Sequence, residues 1–551
     1  MDGLQRGLVR ACVGGAGVAA LLLAACASQD SPQLAPAGPV PERGGTFRLA
    51  LEPAQTLDPA LTDDAYEATV ANQVFSGLVQ WDSDLNVLPD VAQSWTVSSD
   101  GREYRFELRN NARFHNGRQL VAEDFVYSFT RLLDPRQVPR GIIQDYLTRI
   151  EGVEDFNSGR AATIRGLEAP DPFTLVIRLA RPYSSFLSVL GMDQAKVVPR
   201  EEIERLGSEE FGRHPVGTGP FRLAEWNPAT RTVLVASRDY FGTPAYLDSV
   251  ILDHAISEQP ALVQSAFLSG TLDGLQVREN ELSTLLRRRE YPIVRRLELS
   301  LEFMGFSVTT PPFDDARVRR AVAMAVDRDD LAGAVGLGFD VPTGLLPPGI
   351  QGFSPDSKIL PEDLDEARRL LAEAGYGPGR PLRFPLLTAS RTRHAAVRDS
   401  VLVNSLRRVH IFPELRNVSW LELNEAVNSR EAAAFELSWI ADIPDPDSFL
   451  YTLLDTHGYY NIFSYSNAHV DSLLEAGGDE VNQAKRLLLY REAERVVLAE
   501  VPLVPLLNVM TLYAFQPLVR GVEMAPFGIC SVPMEKIWFD RRHREGMYAG
   551  L

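Results

Sequence analysis

The chain has 551 residues, 45% hydrophobic and 23% charged, the balance of a soluble globular protein with room for more than one domain. A formal net charge of −18 argues against nucleic acid or an anionic membrane face as a partner. Of 55 basic residues only Lys196, Lys358, Lys485 and Lys536 are lysines, which points to genome composition rather than to a phosphate site.

The front end reads as an address. Arg6 and Arg10 precede an apolar run from Val13 to Leu23 that is too short to span a bilayer, and Gly14, Gly15 and Gly17 make it a poor helix. It ends in Leu23-Ala24-Ala25-Cys26, which resembles a lipobox. That resemblance implies a signal peptide over 1–25 and lipidation of Cys26, and two or more acyl chains hold a protein firmly to a membrane. Residues 27–44 are rich in Ser, Gln, Pro, Ala and Gly, so 26–44 reads as a lipidated Cys and flexible tether, reaching roughly 50 Å at ~3.1 Å per residue. No Asp follows Cys26, and inner or outer membrane stays open. With Cys12 in the leader and Cys26 lipidated, Cys530 is left without a disulfide partner and is expected to be buried.

Gly44 to Leu51 alternates as a strand, and Val70 to Val79 suggests a helix running into Phe75-Ser76-Gly77-Leu78. Ser94–Val97, Asp100-Gly101 and Tyr104–Arg109 predict a hairpin with Tyr104, Phe106 and Leu108 on one face. Phe114-His115-Asn116-Gly117 is the next turn. The helix after it opens Val121-Ala122-Glu123-Asp124, without a capping hydroxyl at Val121, a local cost of ~1 kcal/mol. Phe173 to Leu179 alternates as a strand. In Pro215-Val216-Gly217-Thr218-Gly219-Pro220-Phe221-Arg222-Leu223 the Pro and Gly residues force a turn between strands. Further helices open at Asp314 or Asp315, with Val318, Val322 and Val326 as a buried stripe, and at Asp363, where Leu370, Leu371 and Ala374 face inward and Gly375 ends the helix. Pro502 and Pro505 close a helix carrying Tyr490 and Ala493. No internal repeat is evident.

Residues 215–228, PVGTGPFRL-x-EW and the following Asn-Pro, resemble the signature of bacterial extracellular solute-binding proteins of family 5, the ligand catchers of peptide and nickel ABC importers. Leu57-Asp58-Pro59, Asp239-Tyr240-Phe241-Gly242 and Leu247-Asp248 continue the likeness, which runs from about Gly44 to Pro505. It implies an α/β fold of the two-lobed periplasmic-binding-protein type II (cluster C), with an extra subdomain inserted in lobe I. By analogy lobe I takes 45–75, 195–300 and 508–540, the insert 76–194, and lobe II 301–507. Alternating strand and helix patterns independently suit α/β lobes, and a cleft between lobes suits a small ligand.

The most informative segment for binding is Phe435 to Pro446, which resembles the family's W-x-x-D-x-x-D/E-P stretch. The resemblance assigns Asp442 to the terminal ammonium of a peptide and Ser438, Trp439 and Ile440 to a strand that pairs with its main chain. Trp420 stands 22 residues before Asp442, as a pocket-lining Trp does in oligopeptide binders, and Glu52 after the first strand is a weaker carry-over. On the residues alone, Asp442 in an Asp/Pro-rich turn also suits a stapled loop, and both Trp residues, like Tyr459, Tyr460 and Asn461, also suit structural roles. Between Trp420 and Asp442 the only basic residue is Arg430, and Glu436 adds negative charge near the strand, so carboxylate-end recognition and peptide length are not specified.

Chemistry of other kinds finds little footing. The eight histidines show no i,i+4 metal spacing, and HExxH, CxxC, a Walker A loop and a GxSxG elbow are all missing from the sequence. The expectation is therefore a non-enzymatic, monomeric, extracytoplasmic lipoprotein without cofactor or metal. It captures peptides and passes them to ABC permease subunits served by separate ATPase chains. A nickel chelate, haem, an opine or an oligosaccharide as the solute, a peptide-signal receptor, and last a peptidase are the alternatives.

Overall fold

In the computed structural model the described residues are 40–540, apart from 137, 139, 140, 337 and 390–392. The chain divides into two units, Met1–Val40 and Pro41–Leu551, so everything below concerns the second. The expected signal peptide, Cys26 and most of the tether lie outside the described residues.

Thr46–Ala50 forms the first strand because Phe47 and Leu49 alternate into the core. It pairs in parallel with Ser249–Asp253, which continues antiparallel through Arg231–Ala236 to Phe221–Asn227, a four-stranded sheet. The helix Ala65–Val74 covers it, with Asp64 as N-cap accepting from the amides of Tyr66 and Glu67 at 2.8 Å. This helix starts and stops earlier than the sequence suggests. After Val74 the chain is drawn out of helical geometry: the Ser76 amide donates to Thr218 Oγ1 at 3.1 Å, and Gly77 bridges to Lys196. Phe47, Leu49, Val70, Val74, Phe75 and Phe221 share one core with Tyr513, Met524 and Ile537 from the far end of the sequence.

A second sheet takes the order Ala92–Val97, Glu103–Leu108, Thr174–Arg178, Leu167–Asp171, all antiparallel. It contains the expected hairpin, and Tyr104, Phe106 and Leu108 are buried together under the helix Ala122–Leu133. At that helix's start Val121 supplies no side-chain cap. Instead the Asp124 carboxylate accepts from the Val121 amide at 2.9 Å. Buried residues of this core run from Leu78 to Val197, with one outsider, Ile443.

The third sheet is organised around Ser300–Phe306, buried along its whole length. Its order is Gly274–Gln276, Leu503–Phe515, Ser300–Phe306, Ala434–Ile440, Leu382–Thr388, Ile411–Asn417. The 13-residue strand Leu503–Phe515 pairs with Ser300–Phe306 through its first half and with Ile293–Leu297 and Gly274–Gln276 through its second. It therefore joins the core of 299–507 to that of the first sheet. The helices Ala316–Ala325, capped by Asp315, Leu364–Glu373, capped by Asp363 and followed by Gly375, and Gln483–Glu500 pack here as their apolar stripes require.

Candidate functional site

Ala434–Ile440 pairs with Ser300–Phe306 from Ala434 against Phe306 to Ile440 against Ser300. On its other side only Phe435 pairs, with Leu387. From Glu436 onward that edge has no strand partner among the described residues, so it offers main-chain groups to an incoming extended chain. Strand alternation sorts the side chains. Phe435, Leu437 and Trp439 lean on one core, while Ser438 and Ile440 stand exposed on the opposite face, Ile440 at 53%.

Asp442 follows the strand end and is half-buried. Its amide donates to Ser448 Oγ at 2.8 Å, and Ser448 Oγ donates back to Asp442 Oδ2 at 3.3 Å. The turn between them is set by Pro444 and Pro446 and by Asp445, whose carboxylate accepts from the Asp447 amide at 3.1 Å. The Trp439 indole donates to the Ser448 carbonyl at 2.8 Å and packs edge-on to Tyr460 at 5.1 Å, which meets Tyr459 at 4.7 Å. Burial pushes the Asp442 carboxyl up to about 7, and nearby Asp193 adds to it. Burial likewise raises Asp193 to about 6, against an opposing pull from Lys196. No basic side chain among the described residues pairs with Asp442. A carboxylate held this way gains most from a cation arriving with the ligand.

Of the six predicted binding residues, the structure gathers Ser438, Trp439, Ile440 and Asp442 onto one strand and its end. Glu52 lies on another element, just past the first strand, where burial, helped by the Glu52 charge, pushes the Tyr66 hydroxyl up to about 12. Trp420 opens the helix Trp420–Asn428 behind a Ser419/Glu422 capping box and is 62% exposed. Two expectations need correction. Glu436 does not add a bare charge beside the strand: it is buried on Arg398, which also binds Glu302 at 3.0 Å and Asp399 at 2.9 Å, and burial raises its pKa. Cys530 is half-buried rather than buried, because the single turn Gly528–Ser531 turns Gly528 and Ile529 inward in its place. Its thiol donates to the Phe527 carbonyl at 3.1 Å, and burial pushes it up to about 12, so it is held protonated. Sequence reasoning missed Ser448, six residues past Asp442 in an Asp/Pro run where a turn hydroxyl is a fair guess, and Asp193, for which no local signal exists.

Among the described residues no cluster of His, Cys, Asp or Glu could hold a metal ion, and no helix is long and apolar enough to cross a membrane. Residues 86–461 match the model for bacterial extracellular solute-binding proteins, family 5, and the chain belongs to that family, solute-binding components of ABC importers. It is 26% identical to heme-binding protein A of Haemophilus influenzae over 93% of this chain and 96% of that one. It is 27% identical to the periplasmic murein peptide-binding protein MppA of Escherichia coli over 85% of this chain and 88% of that one. Among solved structures it superposes on the ABC-transporter-associated periplasmic binding protein DppA of Helicobacter pylori, in complex with the peptide STSA, with a TM-score of 0.76 at 25% identity, covering 91% and 99% of the two chains. The α/β fold is thus that of the two-lobed periplasmic peptide-binding proteins.

Proposed function

We propose that this chain is the substrate-binding lipoprotein of an ABC importer and captures peptides by their free amino terminus at Asp442 and their main chain along the open edge of Ala434–Ile440. The observation that carries it is the coincidence of that open edge with a desolvated carboxylate at its end that has no cationic partner among the described residues. Strand addition tolerates any side-chain sequence, and an ammonium anchor fixes register without reading sequence either. The peptide-binding names of the Escherichia coli and Helicobacter pylori relatives support the same ligand class.

In this proposal lobe I takes 45–75, 195–300 and 508–540, the inserted subdomain 76–194 and lobe II 301–507. Cys26 anchors a monomeric, extracytoplasmic protein, and closure on the ligand presents a surface to the permease subunits, with ATP hydrolysis on separate chains. Native mass spectrometry of protein purified without its tether, with the bound ligand released and sequenced, tests it. A mixture of short peptides is expected. A single non-peptide mass, such as haem with its visible absorption, would overturn the peptide assignment and favour the ligand named for the Haemophilus relative.

A further inference from the structure

The turn after the candidate strand faces two ways. Asp442 carries the carboxylate without a cationic partner, while its neighbour Ile443 is fully buried in the apolar core of residues 78–197, among the described residues the one fully buried member from outside that segment. The surface of 78–197 that receives the turn is polar and almost wholly buried. Tyr146 shares a hydrogen bond with Thr452 Oγ1 at 3.1 Å, and Thr452 Oγ1 donates to the Asp447 carbonyl at 3.1 Å. Ser185 Oγ donates to Asp447 Oδ2 at 3.1 Å and accepts from Arg486 Nη2 at 2.8 Å. Arg149 lies 3.9 Å over the Tyr183 ring and 5.2 Å from that of Tyr451. Tyr146, Tyr183, Ser185, Asp447, Ser448 and Thr452 are each at most 1% exposed.

These contacts divide the polar groups unevenly. Within 299–507 Arg486 stands against two carboxylates, at 2.5 Å from Asp445 and 3.8 Å from Asp447. The second segment brings the further cation, Arg149, together with the hydroxyls of Tyr146 and Ser185. Buried polar groups left without partners are costly, so each side depends on the other for satisfaction. The two systems meet at Asp447-Ser448: the Asp447 carbonyl accepts from the Thr452 hydroxyl that Tyr146 meets, and Ser448 exchanges hydrogen bonds with Asp442.

We propose that Tyr146 is a positioning residue for ligand capture. Through Thr452 and the Asp447 carbonyl, next to Ser448, it holds the Asp442 turn in place only while the 78–197 segment is docked, so docking and the capture of a ligand ammonium reinforce each other. This rests on the role proposed above for Asp442.

A double-mutant cycle tests it, with Tyr146→Phe and Asp442→Asn alone and combined. The probes are a pooled tripeptide library with free amino termini and its N-acetylated counterpart, with affinities measured by calorimetry. Tyr146→Phe is expected to weaken the free-amine pool about fivefold when Asp442 is intact, and less than twofold in the Asp442→Asn background or with the acetylated pool. Equal losses in both backgrounds and both pools would overturn the relay and leave Tyr146 a packing residue. Asp442→Asn binding the free-amine pool as wild type does would instead overturn the role of Asp442. A wild type that binds neither pool would overturn both. Ser448→Ala, run through the same cycle, reads the coupling from the other side if Tyr146→Phe folds poorly, as judged by its melting curve.

Discussion

A Cβ placed on Gly217 would stand 2.0 Å from the carbonyl oxygen of Val74, and one on Gly219 would stand 2.4 Å from that of Gln73. The glycines of the PVGTGP run thus let two stretches of backbone touch: the Gly219 amide donates to Val74 O at 2.8 Å and closes the end of the Ala65–Val74 helix. The neighbouring turn is drawn in as well, with the His115 amide donating to Gly217 O at 2.8 Å and Nε2 meeting Gly219 O at 3.0 Å. The segment that signals the family therefore locks the end of the Ala65–Val74 helix to the His115 turn.

Gly217→Ala should destabilise by about 3 kcal/mol, because a backbone oxygen cannot swing aside as a side chain can. Calorimetry should find melting lowered by roughly 5 °C. Gly377→Ala, where nothing lies within 4 Å, is the control and should melt with wild type. Equal melting of the two variants would refute the close approach.

Affinity for free-amine peptides should fall with acid. Asp442 titrates near 7 in the ligand-free chain, chiefly through burial, and an ammonium is gripped by its ionised form. Below pH 7 each unit should therefore weaken binding by up to about tenfold, while N-acetylated peptides bind without that slope. Calorimetric titrations from pH 5 to 8 check this, and parallel slopes for both peptide types would count against it.

Ligand-free stability should move the opposite way. Burial raises Asp442, Glu298 and Glu535 each to about 7 from ordinary values near 4. Between those values the folded chain holds protons the unfolded chain has lost, so stability drops as pH rises toward 7 and levels off above it. His115, depressed to about 4 mainly by burial, opposes this, but only between its folded value and the ordinary 6.5. Above that window His115 no longer opposes the carboxyls. Melting should be higher at pH 6.5 than at pH 8, and Asp442→Asn should reduce the difference. A higher melting point at pH 8 would contradict the signs.

Cys26→Ser should shift the protein from the detergent-extracted membrane fraction to the soluble one. Continued need for detergent would remove the lipid anchor from the account.

Local signals were the legible ones. The hairpin around Asp100-Gly101, the caps at Asp315 and Asp363 and the strand at Phe47 each depend on residues within a few positions, and the structure has them. The Ala65–Val74 helix was misplaced because its end is dictated by Thr218, more than a hundred residues on. The same distance hid the surroundings of Asp442. Ser448 and Trp439 lie close in sequence, but Tyr146, Ser185 and Asp193 reach the turn only through the packing of separate cores. Nothing in their own neighbourhoods distinguishes them from other polar residues.

The most direct measurement is the affinity of Asp442→Asn for one peptide in free-amine and N-acetylated forms, each compared with wild type. The account predicts a loss of about 100-fold for the free amine and little change for the acetylated form, since only the first brings a cation to the buried carboxylate. Equal change for both would contradict it and make Asp442 a staple of its own turn.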